Sequence, residues 1–230
     1  MNLEQLKQEV YEANLLLVRY NLVISTWGNV SGIDRQEGRV VIKPSGVPYQ
    51  TLTPEQMVVV NLDGSVVSGK LKPSSDTPTH LELYRAWPDI GGVCHTHSSY
   101  ATIFAQAGVA VPCLGTTHAD FAPGDIPCVP ALSKEEVEAA YEENTGKAII
   151  REFAQRKPLE FPGALLQWHG PFTWGRTAQA AADNAQVLEQ LAFMALETRL
   201  VNPAVDRLPS HIRDKHYFRK HGPQAYYGQG

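Results

Sequence analysis

G-G-V-C-H-T-H-S, residues 91–98, is the stretch from which the fold and chemistry of this chain can be approached. Val93 and its small neighbours indicate a β-strand, and alternate side chains of a strand point to the same side. His95 and His97 would then project from one face, roughly 7 Å apart at their Cβ atoms. Two imidazoles at that spacing can bind one divalent metal ion. The pattern fits equally well two histidines held by backbone hydrogen bonds, so both interpretations stay open.

Composition predicts a soluble, globular, cytoplasmic protein. The 230 residues are enough for one α/β domain with a core, and 43% are hydrophobic and 19% charged. A net charge of −4 without Lys/Arg runs argues against nucleic acid as a partner, and no apolar stretch has the roughly 18 residues of a membrane span. Charged residues within the first 20 positions argue against a signal peptide. The three cysteines form no C-x-x-C pair, which predicts neither disulfides nor a thiolate zinc site.

Hydrophobic periodicity predicts helices alternating with strands in one domain over residues 1–230. The first is an amphipathic helix ending near Tyr20, with Asn2 as N-cap and Gln5 as its reciprocal partner. The next predicted elements are a strand over 39–43, a hairpin over 57–67 centred on Asp63-Gly64, a helix starting at Asp76 or Thr77 and ending before Pro88, a helix capped by Ser98 or Ser99 and ending at Gly108, and a strand over 109–114. They continue with a loop over 115–121, a helix capped by Ser133 and interrupted at Gly146, two strands joined by a tight turn at Gly170-Pro171, and a helix from Thr177 to Leu200.

Several polar segments are candidates for binding an anion. Ser74 and Ser75 precede a predicted helix, where free N–H groups and the positive end of the helix dipole favour phosphate, although helix capping would explain them equally well. Ser45-Gly46 follows a strand and resembles many ordinary turns as well as an anion site. Gly28 marks either a close approach of the backbone to a ligand or a bulge. Asp76 is either a helix cap or a carboxylate ligand.

Two further features complete a possible site. His169 is a third histidine at a strand end, and with Asp76 the histidines would provide three nitrogens and one oxygen, a set that suits zinc or a similar ion. A metal beside a phosphate pocket indicates a phosphorylated keto-sugar. The loop containing Asp120 is a candidate for acid/base chemistry, though most such loops have none. The segment 211–230 has two tyrosines, Tyr226 and Tyr227, near its end and is expected to dock, on a neighbouring subunit for example.

Blocks spread over nearly the whole chain resemble the class II aldolase/adducin-like family and, within it, the L-ribulose-5-phosphate 4-epimerases. Among these the chain is most similar to the epimerases of ascorbate breakdown, and the arabinose and ascorbate routes converge on the same phosphate. The matching blocks are T-W-G-N-V-S (26–31), I-K-P-S-G-V (42–47), K-P-S-S-D-T-P-T-H (72–80), G-G-V-C-H-T-H-S (91–98), G-T-T-H-A-D (115–120), H-G-P-F-T-W-G (169–175) and K-H-Y-F-R-K-H-G…A-Y-Y-G-Q (215–229).

The resemblance implies a fold, a cofactor and an assembly. The fold is α/β, a central, mainly antiparallel sheet flanked by helices, and the cofactor is one Zn²⁺ per subunit, with Mn²⁺ or Co²⁺ as substitutes. The assembly is a homotetramer with active sites between subunits. Carried over position by position, the metal ligands are Asp76, His95, His97 and His169, the substrate contacts are Gly28, Asn29, Lys43, Ser45, Gly46, Ser74 and Ser75, the acid/base pair is Asp120 and Tyr227, and the active-site neighbours are Thr116, Glu142 and His216.

The implied reaction interconverts L-ribulose 5-phosphate and D-xylulose 5-phosphate by retro-aldol cleavage of the C3–C4 bond and re-addition. A class II aldolase acting on fuculose or rhamnulose phosphate is the first alternative; the resemblance implies that such aldolases have a catalytic glutamate where Asp76 stands here. The second alternative is a non-catalytic, adducin-like assembly module, which would not need the set of three histidines and an aspartate.

Overall fold

One eight-stranded sheet organises the chain, and the computed structural model describes it within residues 2–222 and 225–227. Across the sheet the order is β4-β3-β2-β1-β5-β8-β7-β6, and every neighbouring pair is antiparallel except β6 and β7. The predicted mainly antiparallel sheet is thereby confirmed. The strands are β1 (Asn29–Asp34), β2 (Arg39–Ile42), β3 (Val58–Asn61), β4 (Val66–Ser68), β5 (Gly92–His95), β6 (Cys128–Val129), β7 (Gly163–Leu166) and β8 (Gly170–Gly175).

Helices cover both faces of the sheet and produce the predicted α/β architecture. Helices α1, α3 and α6 bury apolar side chains on one face, and α2 and α5 do so on the other. No helix in the described part of the chain has the length and apolarity needed to cross a bilayer. The helices are α1 (Leu3–Arg19), α2 (Thr77–Ala86), α3 (Ser99–Ala107), α4 (Thr116–Ala119), α5 (Lys134–Glu152), α6 (Ala178–Val201) and α7 (Ser210–His221), with 3₁₀ turns at Tyr49–Thr51 and Pro54–Gln56.

Alternation along β5 separates its side chains as the sequence predicts. Val93 packs in the core on the α2 and α5 side, whereas Cys94 packs with α1 and α6. Cys94 is a buried thiol, and burial raises its pKa to about 12. His95 pairs with Asn29 of β1 and with Phe172 of β8, so these three residues form one row across the sheet. The imidazole of His95 stacks on the Phe172 ring at a centroid distance of 4.1 Å.

Local signals predicted several elements correctly. Helix α1 has Asn2 as N-cap, and α6 has Thr177, whose hydroxyl accepts a hydrogen bond from the Ala180 N–H. The hairpin at Asp63-Gly64 is present, and α3 ends at Gly108, which adopts a left-handed conformation with φ 68°. Each of these signals depends only on neighbouring residues.

Four predictions about local structure are wrong. The segment 109–114 is not a strand but makes one isolated bridge, between Val111 and Ile126, and the predicted loop over 115–121 contains α4. Gly170-Pro171 lies inside β8, because the turn between β7 and β8 is placed earlier, where Trp168 has a φ of 64°. Gln5 does not complete a capping box, since its side chain donates to Glu9.

The predicted interruption of α5 at Gly146 is also wrong. The helix continues through Gly146 and is broken at Ala140, whose φ is −167° and ψ is 84°. A Cβ on Gly146 would lie 2.6 Å from the Cβ of Glu82 and 3.0 Å from the carbonyl oxygen of Thr79. Glycine is therefore required at this position for close packing against α2, not to end the helix.

The paired glycines before the histidine strand allow α6 to begin against the sheet. A Cβ on Gly91 would lie 2.1 Å from the carbonyl oxygen of Arg176, and one on Gly92 would lie 2.3 Å from that of Thr177. No side chain fits at these distances, so the start of α6 and the start of β5 are in contact through backbone alone.

We expect Gly92→Ala to lower the free energy of unfolding by about 3 kcal/mol, because the added methyl group must displace the backbone at Thr177. Urea denaturation measures this change. Gly124→Ala is the matched control, since its nearest contact would be an ordinary 3.6 Å to the Phe161 ring, and we expect a change within about 0.5 kcal/mol. Equal losses in the two variants would contradict the close-packing account.

Candidate active site

Three histidines converge where β5, β7 and β8 lie side by side. His95 ends β5, His97 follows two residues later, and His169 lies in the turn between β7 and β8. One nitrogen from each of these rings lies within 4.8 Å of the other two, and the Nε2 atoms of His95 and His97 are 3.1 Å apart. The sequence predicted that these histidines would meet, and the antiparallel pairing of β5 with β8 explains why they do.

The ring of His95 is held in one orientation. Its Nδ1 lies 2.9 Å from the carbonyl oxygen of Pro171, which can only accept, so Nδ1 carries the proton and Nε2 offers a lone pair. The residue is 2% exposed and stacked on Phe172, which prevents rotation. A histidine oriented by a carbonyl in this way is typical of a metal ligand.

The electrostatics of the cluster favour neutral imidazoles. Burial lowers the pKa of His169, and the nearby rings of His95 and His97 lower it further. The pKa of His97 is lowered by burial and by His95. Neutral imidazoles with free lone pairs are the form that binds a metal, so the donor set fits a divalent ion without first losing protons at neutral pH.

Asp76 lies beside this cluster in the same cavity. It occupies the N-cap position of α2, but its carboxylate makes no capping bond and instead accepts a 2.7 Å hydrogen bond from Nδ2 of Asn29. Burial acts to raise the pKa of Asp76, but His95, His80 and the hydrogen bond from Asn29 outweigh it and lower the pKa. Among the described residues the compact set of ligand atoms contains the three histidines and not Asp76, so its role as fourth ligand stays a prediction.

The histidines line a cavity of about 370 Å³ that also contains all seven predicted substrate contacts. Segments after β2 and before α2 converge there, because the Ser45 N–H donates to the Lys72 carbonyl and the Ser74 N–H donates to the Lys43 carbonyl. The predicted substrate contacts that line the cavity are Gly28, Asn29, Lys43, Ser45, Gly46, Ser74 and Ser75.

Gly28 and Asn29 connect this cavity to the histidine row. A Cβ on Gly28 would lie 3.1 Å from the carbonyl oxygen of His95, and its φ of 77° favours glycine, so close approach to β5 explains this glycine. Asn29 donates to Ser74 Oγ as well as to Asp76. Its Oδ1 atom is buried without a hydrogen-bond partner among the described residues, which makes it an available acceptor for a ligand hydroxyl.

Lys43 places a buried cation in the cavity. The residue is 1% exposed, and no described carboxylate lies within ion-pair distance of it. Its Nζ has long contacts to the carbonyl oxygens of Thr26 (3.3 Å) and Pro44 (3.4 Å) and lies 4.8 Å from the centre of the Tyr49 ring. Burial lowers the pKa of Lys43 to about 8. An anion in this cavity would provide the partner that the ammonium group lacks.

The remaining predicted residues divide between two places. Glu142 lines the cavity, whereas Thr116, Asp120, His216 and Tyr227 do not. Those four lie together near α4 and α7. The Asp120 carboxylate accepts hydrogen bonds from His216 Nδ1 (3.1 Å) and Arg219 Nη2 (2.7 Å).

Arg219 joins Tyr227 to this second group. The guanidinium carbon of Arg219 lies 4.8 Å from the centre of the Tyr227 ring. Burial of Asp120 opposes ionisation, but the hydrogen bonds from Arg219 and His216 and the charge of Lys220 outweigh it, so the pKa of Asp120 is lowered. The Tyr227 ring is exposed, and the last residues of the matching tail block, Gly228 and Gln229, lie outside the described residues.

Sequence reasoning missed Tyr141, which lines the cavity and whose hydroxyl oxygen lies 3.2 Å from Nδ1 of His169. A single tyrosine in a glutamate-rich helix carries no motif. It reaches the site because α5 is broken at the preceding residue, Ala140, and no glycine or proline marks that break.

Comparison with known proteins agrees with this architecture. Residues 8–196 match the model of the class II aldolase and adducin N-terminal domain. The chain belongs to the class II aldolase and adducin family. L-ribulose-5-phosphate 4-epimerase UlaF of Salmonella paratyphi B is 56% identical over 227 residues, which are 99% of this chain and 100% of that protein.

Solved structures share the fold of this chain. An L-fuculose 1-phosphate aldolase superposes with a TM-score of 0.78 at 24% identity, over 92% of this chain and 94% of the aldolase. The YgbL protein of Klebsiella pneumoniae gives a TM-score of 0.74 at 24% identity, over 94% of this chain and 99% of YgbL.

The buried cation of Lys43 makes anion binding sensitive to pH. Its charge is present below its pKa of about 8 and is lost above it, so we expect the Kd for inorganic phosphate to rise roughly fivefold between pH 8 and pH 9. Isothermal titration calorimetry across this range measures the change. Lys43→Met should bind more weakly and show a much flatter profile, and a parent profile as flat as that of the variant would rule out Lys43 as the titrating group.

Proposed function

We propose that this chain is an L-ribulose-5-phosphate 4-epimerase, a zinc-dependent enzyme that interconverts L-ribulose 5-phosphate and D-xylulose 5-phosphate. The observation that carries the proposal is the 56% identity to UlaF over nearly the whole of both chains. The geometry supports it, because the histidine cluster and the candidate phosphate contacts line one cavity.

The donor set of the cluster fits zinc. Three neutral imidazole nitrogens within 4.8 Å of one another, with a carboxylate beside them, suit a tetrahedral ion, and Mn²⁺ or Co²⁺ could replace it. When bound, the metal would supply Lewis-acid stabilisation of the negative charge that develops on substrate oxygens during C–C bond cleavage. His95, His97, His169 and Asp76 would hold the ion.

The phosphate of the substrate would bind in the part of the cavity where Lys43 provides positive charge and the serines provide hydroxyl donors. Ser45 and Ser74 come from two segments that are hydrogen-bonded to each other, so their spacing is fixed before a ligand arrives. Ser75 and Gly46 complete this part of the cavity. Anchoring the phosphate would keep the cleaved two-carbon aldehyde in the site until it is attacked again, which separates an epimerase from an aldolase.

Inversion at C4 requires proton transfer on two faces of the substrate, and Asp120 and Tyr227 are the proposed pair. One removes the C4 hydroxyl proton as the C3–C4 bond breaks, giving glycolaldehyde phosphate and the enediolate of dihydroxyacetone. The aldehyde rotates and is attacked on its other face, and the second group returns a proton. Hydrogen bonds from His216 and Arg219 keep Asp120 ionised and fixed in position.

Asp120 and Tyr227 do not line the cavity of their own chain, so we propose that a neighbouring subunit supplies them. We therefore include a homotetramer with active sites between subunits in the proposal. His216 and Thr116 would arrive with Asp120, because His216 bonds to the Asp120 carboxylate and the Asp120 N–H donates to the Thr116 carbonyl, whereas Glu142 would act from the same chain as the histidines.

Asp76 supports the epimerase over an aldolase of the same family. The resemblance implies a longer, catalytic glutamate at this position in the aldolases, whereas the shorter Asp76, held by Asn29 in the cavity of the histidines, would bind the ion. The neutral, converging histidines also argue against a non-catalytic assembly module, which has no use for them.

Incubation with L-ribulose 5-phosphate tests the proposed reaction. We expect D-xylulose 5-phosphate to accumulate and about one zinc ion per chain, measured by chromatography and elemental analysis. His97→Asn should lose most of the metal and at least about a hundredfold in activity, whereas the exposed His211→Asn should behave as the parent. Free glycolaldehyde phosphate as the main product would favour the aldolase, and a metal-free parent would refute the enzyme proposal.

Subunit mixing tests the shared site. Asp76→Asn and Tyr227→Phe should each be nearly inactive alone. Mixed tetramers would contain some sites with an intact histidine side and an intact Tyr227, so we expect partial recovery of activity after refolding the two variants together. Native mass spectrometry verifies that mixed tetramers have formed. No recovery in verified mixtures would show that each site is built within one chain.

A further inference from the structure

Tyr141 is the side chain to which His169 is hydrogen-bonded. The phenol oxygen lies 3.2 Å from Nδ1 of His169, and the two rings are inclined by 30° with their centres 5.9 Å apart. Tyr141 is half-buried, and burial together with the charge of Asp76 raises its pKa, so it is a neutral phenol at pH 7. A neutral hydroxyl can accept the Nδ1 proton of an imidazole.

A break in α5 brings Tyr141 to this place. Ala140 leaves the helical conformation immediately before Tyr141. Two side chains stabilise the break by bonding to backbone carbonyls around it: Asn144 Nδ2 donates to the Glu136 carbonyl (2.7 Å), and Thr79 Oγ1 donates to the Glu142 carbonyl (2.6 Å). Backbone groups next to a break need new partners, and these two bonds supply them.

A side-chain acceptor matters more for the orientation of the His169 ring than for that of the His95 ring. Pro171 orients the ring of His95, but no described backbone carbonyl bonds to the ring of His169. His169 lies in the turn that follows Trp168, whose φ of 64° is unusual for a bulky residue. Its N–H donates to the Leu166 carbonyl, so the turn fixes the backbone, and among the described residues the ring is hydrogen-bonded only to Tyr141.

We propose that Tyr141 is a positioning residue of the metal site: its oxygen accepts the Nδ1 proton of His169 and leaves Nε2 free, and correctly oriented, to bind the ion. This role rests on the proposed function, since it requires that the three histidines bind a metal. In this proposal, the break in α5 brings a hydrogen-bond acceptor to His169, the histidine of the cluster that lies in a turn.

Zinc affinity of Tyr141→Phe tests the proposal, measured by competition with a chromophoric chelator. We expect one ion per chain with a Kd about 10- to 100-fold higher than that of the parent, because the hydroxyl is lost while the ring remains. Tyr11→Phe is the matched control, a half-buried tyrosine on α1 outside the cavity, and should bind within about twofold of the parent. Equal Kd values for Tyr141→Phe and the parent would overturn the proposal alone, whereas a parent that binds no zinc would overturn the proposed function with it.

Melting temperatures with and without zinc separate positioning from a general structural role. A ligand that binds the folded state raises the melting temperature by an amount that grows with its affinity. We expect the zinc-induced increase to be smaller in Tyr141→Phe than in the parent. If the variant melts lower by the same amount in both forms, so that the increase is unchanged, Tyr141 supports only the fold and the proposal is wrong.

Discussion

Three imidazole rings share a space in which one nitrogen of each lies within 4.8 Å of the other two, and this crowding disfavours a proton on the rings of His97 and His169. Burial is the largest cause of the lowered pKa of both residues, and the neighbouring imidazoles lower it further. The carboxylate of Asp76 lies beside the rings and favours positive charge there. The cluster therefore contains both groups that disfavour positive charge and a group that favours it. A metal cation can bind to neutral imidazoles beside a carboxylate. The arrangement therefore fits a metal site better than a hydrogen-bonded core.

The sheet creates this arrangement through register. Asn29, His95 and Phe172 lie in one row across β1, β5 and β8, so the amide that holds Asp76 and the ring that supports His95 flank the same histidine. The row depends on the glycines at 91 and 92, because any larger residue would push the start of α6 away from β5. This pair of glycines, which precedes His95 in the sequence, therefore contributes to the site through the packing of the backbone.

The sequence predicts a structural feature well when the residues that determine it lie close together in the chain. Asn2, Thr177 and Asp63-Gly64 act on their immediate neighbours, and the corresponding caps and hairpin were predicted correctly. The break at Ala140 could not be, because it depends on Thr79 and Asn144 reaching carbonyl groups of α5 in the folded protein. Tyr141 was missed for the same reason.

The candidate site shows the same division. The histidines, Asp76 and the candidate anion segments could be proposed from the sequence pattern, and the resemblance added Asn29 and Lys43; all of them line one cavity. What neither pattern nor resemblance indicated is that Asp120 accepts hydrogen bonds from both His216 and Arg219, and that Arg219 also lies against the Tyr227 ring. Asp120, His216 and Tyr227 are thus connected within one chain, apart from the cavity that the histidines line.

Helices α2 and α5, which lie next to the site, each lack hydrogen bonds that a regular helix would have. Asp76 stands at the N-cap of α2 without capping it, a loss worth about 1 kcal/mol, and α5 is broken at Ala140. The two helices are in direct contact: Thr79 of α2 bonds to the Glu142 carbonyl of α5, close to the break, and Gly146 lets the helices touch at Glu82. Because α2 thus holds the irregular part of α5, Asp76 and Tyr141 reach the cavity of the histidines from two helices that support each other by packing.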